Sequence, residues 1–291
     1  MTRTMAALIA TLLILPGASP QDDAKSDKEK AKEEAKKKDE DAKAALKGYR
    51  DMLAKAKSPD DVIEAIQKLE TAEPHPMIRA EFTRVLENDR SIDVRIAAAS
   101  ALGKFKKDIA ACDVLLNNAR TQKEDSVKKK CIQRFGVIAP FRKSEDLKRF
   151  FHDENNEIVK EALDAIKDIN SVRMLRPLID LLGELEQIKE DKGDSGGGPP
   201  LPGVPQGDSS NNQRLKRKRE LTDPTRTAIN HLWRKYDSKT KLNDYTTANS
   251  QLQRNKTHLM KLQDAEDRED KGIKPEAPGE TKDAKDGKEI K

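Results

Sequence analysis

Four valines, Val62, Val94, Val127 and Val159, recur at intervals of 32, 33 and 32 residues, and each opens an apolar pattern of helical spacing. A fixed period of this size marks a helical solenoid, in which no unit can bury its own apolar face and stability comes from stacking neighbours. Laid out from their valines, the four segments agree. Val62 is followed by Ala65, Ile66 and Leu69; Val94 by Ala97, Ala98, Ala101 and Leu102; Val127 by Cys131, Ile132 and Phe135; Val159 by Ala162, Leu163 and Ile166. Steps of three, four and seven residues place each set on one helical face. Gly103 and Gly136 stand nine residues after their valines, where a turn is expected.

Each of these helices is followed by a second apolar pattern: Ile78, Phe82, Val85 and Leu86; Ile109, Cys112, Leu115 and Leu116; Leu147, Phe150 and Phe151; Leu175, Leu178, Ile179 and Leu182. The unit is therefore helix, turn, helix. Ser58-Pro59-Asp60-Asp61 sets a cap residue before a proline in the first helical position, and Pro74 and Pro76 break the first pair. An ordinary bundle of similar helices is the competing arrangement. The constant period, with glycine at the same offset in two units, argues against it.

The segment Asp93-Val94-Arg95-Ile96-Ala97-Ala98-Ala99-Ser100-Ala101-Leu102-Gly103 resembles the first helix of a HEAT repeat, with its acidic residue, valine and arginine ahead of an alanine-rich run. The resemblance extends over roughly residues 58 to 189 and is weakest at Val62, where the arginine and glycine are missing. It implies an all-α solenoid of HEAT-like helix pairs, about four repeats with a degenerate C-terminal cap, acting as a scaffold for a protein partner. In this family the second helices line the concave face. The resemblance thus implies partner-binding candidates among the polar residues off their apolar stripes: Arg79, Arg84, Asp113, Asn117, Lys148, Arg149, Arg173 and Arg176. The same residues are also what a merely solvated face would carry.

The flanks differ in kind. Residues 1–20 join a basic start, an apolar stretch from Met5 to Leu15 and small residues at Gly17, Ala18 and Ser19, the composition of a secretory signal and too short for a membrane span. An exported chain, periplasmic or extracellular and without a transmembrane segment once mature, is expected. Residues 21–45 are almost wholly Asp, Glu, Lys and Ala, a solvated helix or spacer with no apolar face to dock. Repeats are expected over residues 46–190. Residues 191–220 read as a Gly/Pro-rich linker or loop, and residues 263–291 as a disordered charged tail.

Residues 221–262, between linker and tail, resemble the degenerate last repeat of exported bacterial HEAT proteins, with Asn255-Lys256 closing a polar helix but without the tryptophans usual there. They are expected to fold back as a cap, with Trp233 as a core anchor. Positive charge concentrates in this part: residues 211–262 hold 13 Lys or Arg against 4 Asp or Glu, whereas residues 58–190 hold 23 against 25. The densest cluster is Arg214, Lys216, Arg217, Lys218 and Arg219. Behind a secretion signal such a cluster is not read as a nucleic-acid patch. It fits an anionic envelope polymer or lipid head groups, or else a solvated loop end.

Little in the sequence points to chemistry. His75, His152, His231 and His258 are scattered, without a carboxylate or cysteine at ligand spacing on the same helix face, and no metal or other cofactor is expected. Gly196-Gly197-Gly198 sits among prolines with no helix to open on a phosphate. Cys112 and Cys131 fall on helices that neighbour each other in a solenoid, so both a disulfide and a pair of buried core thiols are open. Some HEAT-like proteins are bilin lyases, the one enzymatic analogy available; a structural spacer without a specific groove is the other alternative to a binding scaffold.

Overall fold

The computed structural model describes residues 20–188, 209–237 and 239–273. The expectations placed on residues 1–19, 189–208 and 274–291, namely the secretion signal, most of the linker and the end of the charged tail, lie outside the described residues. Among the described residues the chain is helical and contains no strand. Its elements are α1 (Pro20–Leu53), α2 (Pro59–Glu70), α3 (Pro76–Asn88), α4 (Ile92–Leu102), α5 (Ile109–Thr121), α6 (Asp125–Ile138), a 3-10 segment (Phe141–Phe150), α7 (Asn156–Ile169), a short 3-10 turn (Val172–Met174), α8 (Leu175–Gln187), α9 (Ser209–Arg234), α10 (Tyr245–Arg254) and α11 (Lys256–Asp270).

The first helices of the units stack in order, α2 on α4, α4 on α6, α6 on α7 and α7 on α9. Second helices form the other layer, with α3 beside α5 and α8 beside α10. The last turns of α1 pack on α2 and α3 as α3 packs on α4 and α5, so α1 stands where a preceding second helix would. Of the four valines, Val94, Val127 and Val159 are buried and Val62, at the open end, is half-buried. One apolar cluster runs unbroken from Ala42 to Leu259.

Helix starts follow local chemistry. Ser58 and Asp61 form a reciprocal capping box ahead of α2, and Asp108 accepts from the Ala110 and Ala111 amides to cap α5. Such caps satisfy amide donors that no preceding turn can reach. α7 ends on Asn170, whose φ of 54° is the left-handed closing conformation.

The structure departs from the sequence reading in several places. Gly103 does cap α4, but Gly136 lies inside α6 and marks no turn. A Cβ there would stand 2.8 Å from Ala165 Cα and 2.9 Å from Ala165 Cβ, so the glycine serves the close approach of α6 to α7. The second helix expected around Leu147 is a 3-10 segment. Phe141, Ser144, Leu147 and Phe150 repeat every three residues, which matches the three-residue turn that brings i and i+3 into line. α9 begins at Ser209, within the stretch read as linker, and carries the basic cluster as helix. α11 runs to Asp270, so residues 263–270, read as tail, are helical. Trp233 is buried at the end of α9 and packs against Tyr236.

Candidate interaction surface

The candidate residues of the second-helix layer are mostly engaged with their own chain. Arg79 on α3 pairs with Asp108 at 2.5 Å and so ties α3 to the cap of α5. Arg84 pairs with Glu81 at 2.5 Å, and Asp113 on α5 takes Lys143 of the 3-10 segment at 2.7 Å. Lys148 and Arg149 pair with Glu145 and Asp146 three residues back, at 2.9 and 3.5 Å. Arg176 holds Asp180 at 2.9 Å, and Arg173 holds Asp267 of α11 at 2.6 Å. Asn117 is exposed, and its backbone oxygen accepts from Thr121. The face is therefore a mosaic of balanced pairs along α3, α5, the 3-10 segment and α8. Pairs this exposed contribute little stability and are open to exchange with a partner.

Arg95, the arginine of the repeat motif, has a structural task. It is almost buried, donates to Glu124 Oε2 at 2.9 Å and to the Gln122 side-chain oxygen, while Gln122 donates to the Leu86 carbonyl at 3.1 Å. One guanidinium thereby links three successive helices, and its hydrogen bond holds the Glu124 carboxyl below the usual carboxylate range.

The basic cluster divides. Arg214, Lys216 and Arg219 are exposed, whereas Arg217 turns inward and donates to the carbonyls of Phe151 and Asp153, the latter at 2.7 Å. Burial pulls its pKa below the ordinary arginine value. Lys218 donates to the Ile188 carbonyl at 2.7 Å, just past the end of α8. Two of the five cations thus fasten α9 to the stack, and an anionic partner would meet the other three.

Cys112 and Cys131 are free thiols, fully buried, and burial pushes each thiol up to about 12. Deep burial of an unactivated thiol suppresses thiolate chemistry. His75 caps α3 through Nδ1 and meets Asp39 of α1 through Nε2 at 2.9 Å.

Two residues that sequence reasoning missed do most to organise this face. Glu266 of α11, 3% exposed, accepts from Ser171 Oγ at 2.8 Å, from the Val172 amide at 2.9 Å and from Lys235 Nζ at 3.1 Å. Asp270 accepts from the amides of Phe141 and Arg142 at 3.0 and 2.8 Å, capping the 3-10 segment from 128 or more residues away. The available signal was one helical stripe, Leu259, Leu262, Glu266 and Asp270, with carboxylates in the apolar places.

Comparison with known protein families matches residues 38–136 to HEAT repeats, from the middle of α1 to Gly136 of α6. Over those residues the chain carries HEAT repeats. The geometry carries the HEAT pattern further, since α7 with α8 and α9 with α10 continue the same two layers beyond the matched residues. A search of curated proteins finds no match to the chain. HEAT repeats mediate protein–protein scaffolding, so a protein partner is the family's expectation for this surface. Among the described residues no helix is long and apolar enough to cross a membrane.

Proposed function

We propose that the chain is a non-enzymatic scaffold that binds another protein through its second-helix face, in the cell envelope or outside the cell. The observation that carries this reading is the continuous face along α3, α5, the 3-10 segment and α8, where exposed charges are paired in a way a partner can rearrange. Export rests on the basic, apolar and small-residue order of residues 1–20. Expression of the full chain with its N-terminus intact, followed by fractionation and mass measurement, tests it; a cytoplasmic chain that keeps Met1 to Ser19 overturns export.

For binding, the test is charge reversal. A chain carrying Arg84→Glu, Asp113→Lys and Lys148→Glu should keep its helicity and lose a partner that the wild type captures saturably. The spacer reading draws on α1, whose residues 29–41 are exposed all round. It predicts undiminished function in the reversed chain.

A further inference from the structure

Among the described residues α11 is the one helix that lies on the second-helix layer without joining either stack; it rests on the 3-10 segment and the short turn before α8. Its hold is mainly polar. Glu266, Asp267 and Asp270 engage Ser171, Val172, Lys235, Arg173 and the first amides of the 3-10 segment. Apolar contact comes from buried Leu259, half-buried Leu262 and the edge-on packing of His258 against Tyr236 at 4.8 Å, with Met260 beside them 55% exposed. A groove of about 320 Å³ remains open along this contact, lined by Val172, Arg173, Arg176, Leu252, Leu259 and Met260 among others.

The join to the rest of the chain is minimal. α10 and α11 are separated by Asn255 alone, at φ −104° and ψ 12°. A continuous helix needs ψ near about −42° at that position. Rotation at one residue therefore suffices to lift α11 away and extend α10. All the donors just named belong to the repeats, to the segments between them or to α9, and they stay in place when α11 leaves.

We propose that the part of the second-helix face beneath α11 is a docking site for an acidic helix of a partner protein, and that α11 is the built-in competitor for it. The inference rests on the scaffold reading above and narrows its partner. The fitting helix carries carboxylates at the spacing of Glu266, Asp267 and Asp270 and leucines four and seven residues ahead of the first of them, as Leu262 and Leu259 stand here. A segment tethered by a one-residue joint competes at an effective concentration of about millimolar or above. The closed chain should accordingly bind such helices weakly, and weakening α11 should strengthen binding.

The probe is a fluorescently labelled peptide of residues 256–273, titrated by anisotropy against the full chain at low salt. Binding to wild type should be weak, and at least about tenfold tighter to a chain carrying Glu266→Gln, Asp267→Asn and Asp270→Asn. Adding Arg173→Glu to that chain should remove the gain. If the triple variant loses helicity, the double variant Asp267→Asn, Asp270→Asn keeps the buried Glu266 and serves in its place. Equal binding by wild type and loosened chains, equal binding of a scrambled peptide, or retention of the gain with Arg173→Glu overturns the proposal. Exchange of α11 between copies, seen as wild-type dimers at high concentration, would make a second copy the occupant and overturn it too. A protein partner captured by the chain and not displaced by the peptide sinks this inference alone, whereas capture indifferent to every charge reversal on the face sinks the scaffold reading.

Discussion

Gly136 is where the spacing of the solenoid can be tested by one atom. A Cβ built there meets Ala165 Cα at 2.8 Å, Ala165 Cβ at 2.9 Å and the Ala165 carbonyl oxygen at 3.2 Å, and two of these three atoms are backbone that cannot rotate aside. Two terms oppose each other. Replacing an interior helical glycine by alanine gains about 1 kcal/mol of helix propensity. Overpacking a tight contact costs about 1–3 kcal/mol. Alanine leaves the two near balance, so valine is the decisive substitution: it adds two further methyl groups to the seam and gains less propensity because it is β-branched. Gly136→Val should destabilise by about 2–3 kcal/mol, near the top of the overpacking range. At about 2–4 °C per kcal/mol the midpoint should fall by about 5–10 °C in a thermal melt followed by far-UV circular dichroism. Gly48 in α1 supplies the control, since nothing lies within 4 Å of a Cβ there. Gly48→Ala should hold or raise the midpoint by up to about 1 kcal/mol of stability. A Gly136→Val chain as stable as wild type would mean that α6 and α7 do not meet at Ala165 and that this repeat junction is misplaced.

Other outcomes follow from burial. Ala98→Glu sets a carboxylate in a fully buried place between stacked first helices, with an expected cost of several kcal/mol and loss of cooperative unfolding, measured by denaturant titration. Arg217→Ala leaves the Phe151 and Asp153 carbonyls without their donor and should cost about 1–3 kcal/mol, while Arg214→Ala and Arg219→Ala, exposed on the same helix, should leave the melt unchanged. Cys112 and Cys131 have folded-state values raised to about 12, above the ordinary thiol value, and Tyr49 is likewise raised to about 12. The unfolded chain therefore releases these protons first. Their contribution to stability is complete below about pH 8.5 and is lost progressively as pH rises from there toward 12, which alkaline unfolding scans would show and a flat profile would refute. At neutral pH both thiols should stay unreactive to a disulfide reagent until the chain unfolds.

The repeat stack was legible because its physics is local and periodic. Val94, Val127 and Val159 sit one period apart, and all three are buried. Arg95 was visible as a motif residue, but its partners, Gln122 at the end of its own unit and Glu124 at the start of the next, were not. The 3-10 segment is hidden because Leu147, Phe150 and Phe151 also fit a 3.6-residue period, and the three-residue row that marks the tighter turn is interrupted by the polar Ser144. The start of α9 was hidden by the Gly/Pro run before it. Glu266 and Asp270 were read with the charged tail because an acidic residue whose partners are backbone amides about a hundred residues away leaves no pattern in composition. The candidate surface shows the same division. Second-helix positions could be assigned from spacing, whereas their pairing and the presence of α11 across them are tertiary facts.

The exposed first part of α1 bears on how anything joined to it would find the repeats. Residues 29–41 bury no side chain and reach the repeats through Lys38 to Glu73 at 3.0 Å and Asp39 to His75 at 2.9 Å, yet they are helix, continuous with the turns that carry buried Ala42, Leu46 and Tyr49. At 1.5 Å per residue these 13 residues reach about 20 Å. A flexible chain of the same length has a root-mean-square span of about 20 Å as well. What differs is direction. A flexible chain would spread the repeats over a sphere of that radius, while the helix confines them to one bearing and makes rotation at its far end a rotation of the whole solenoid.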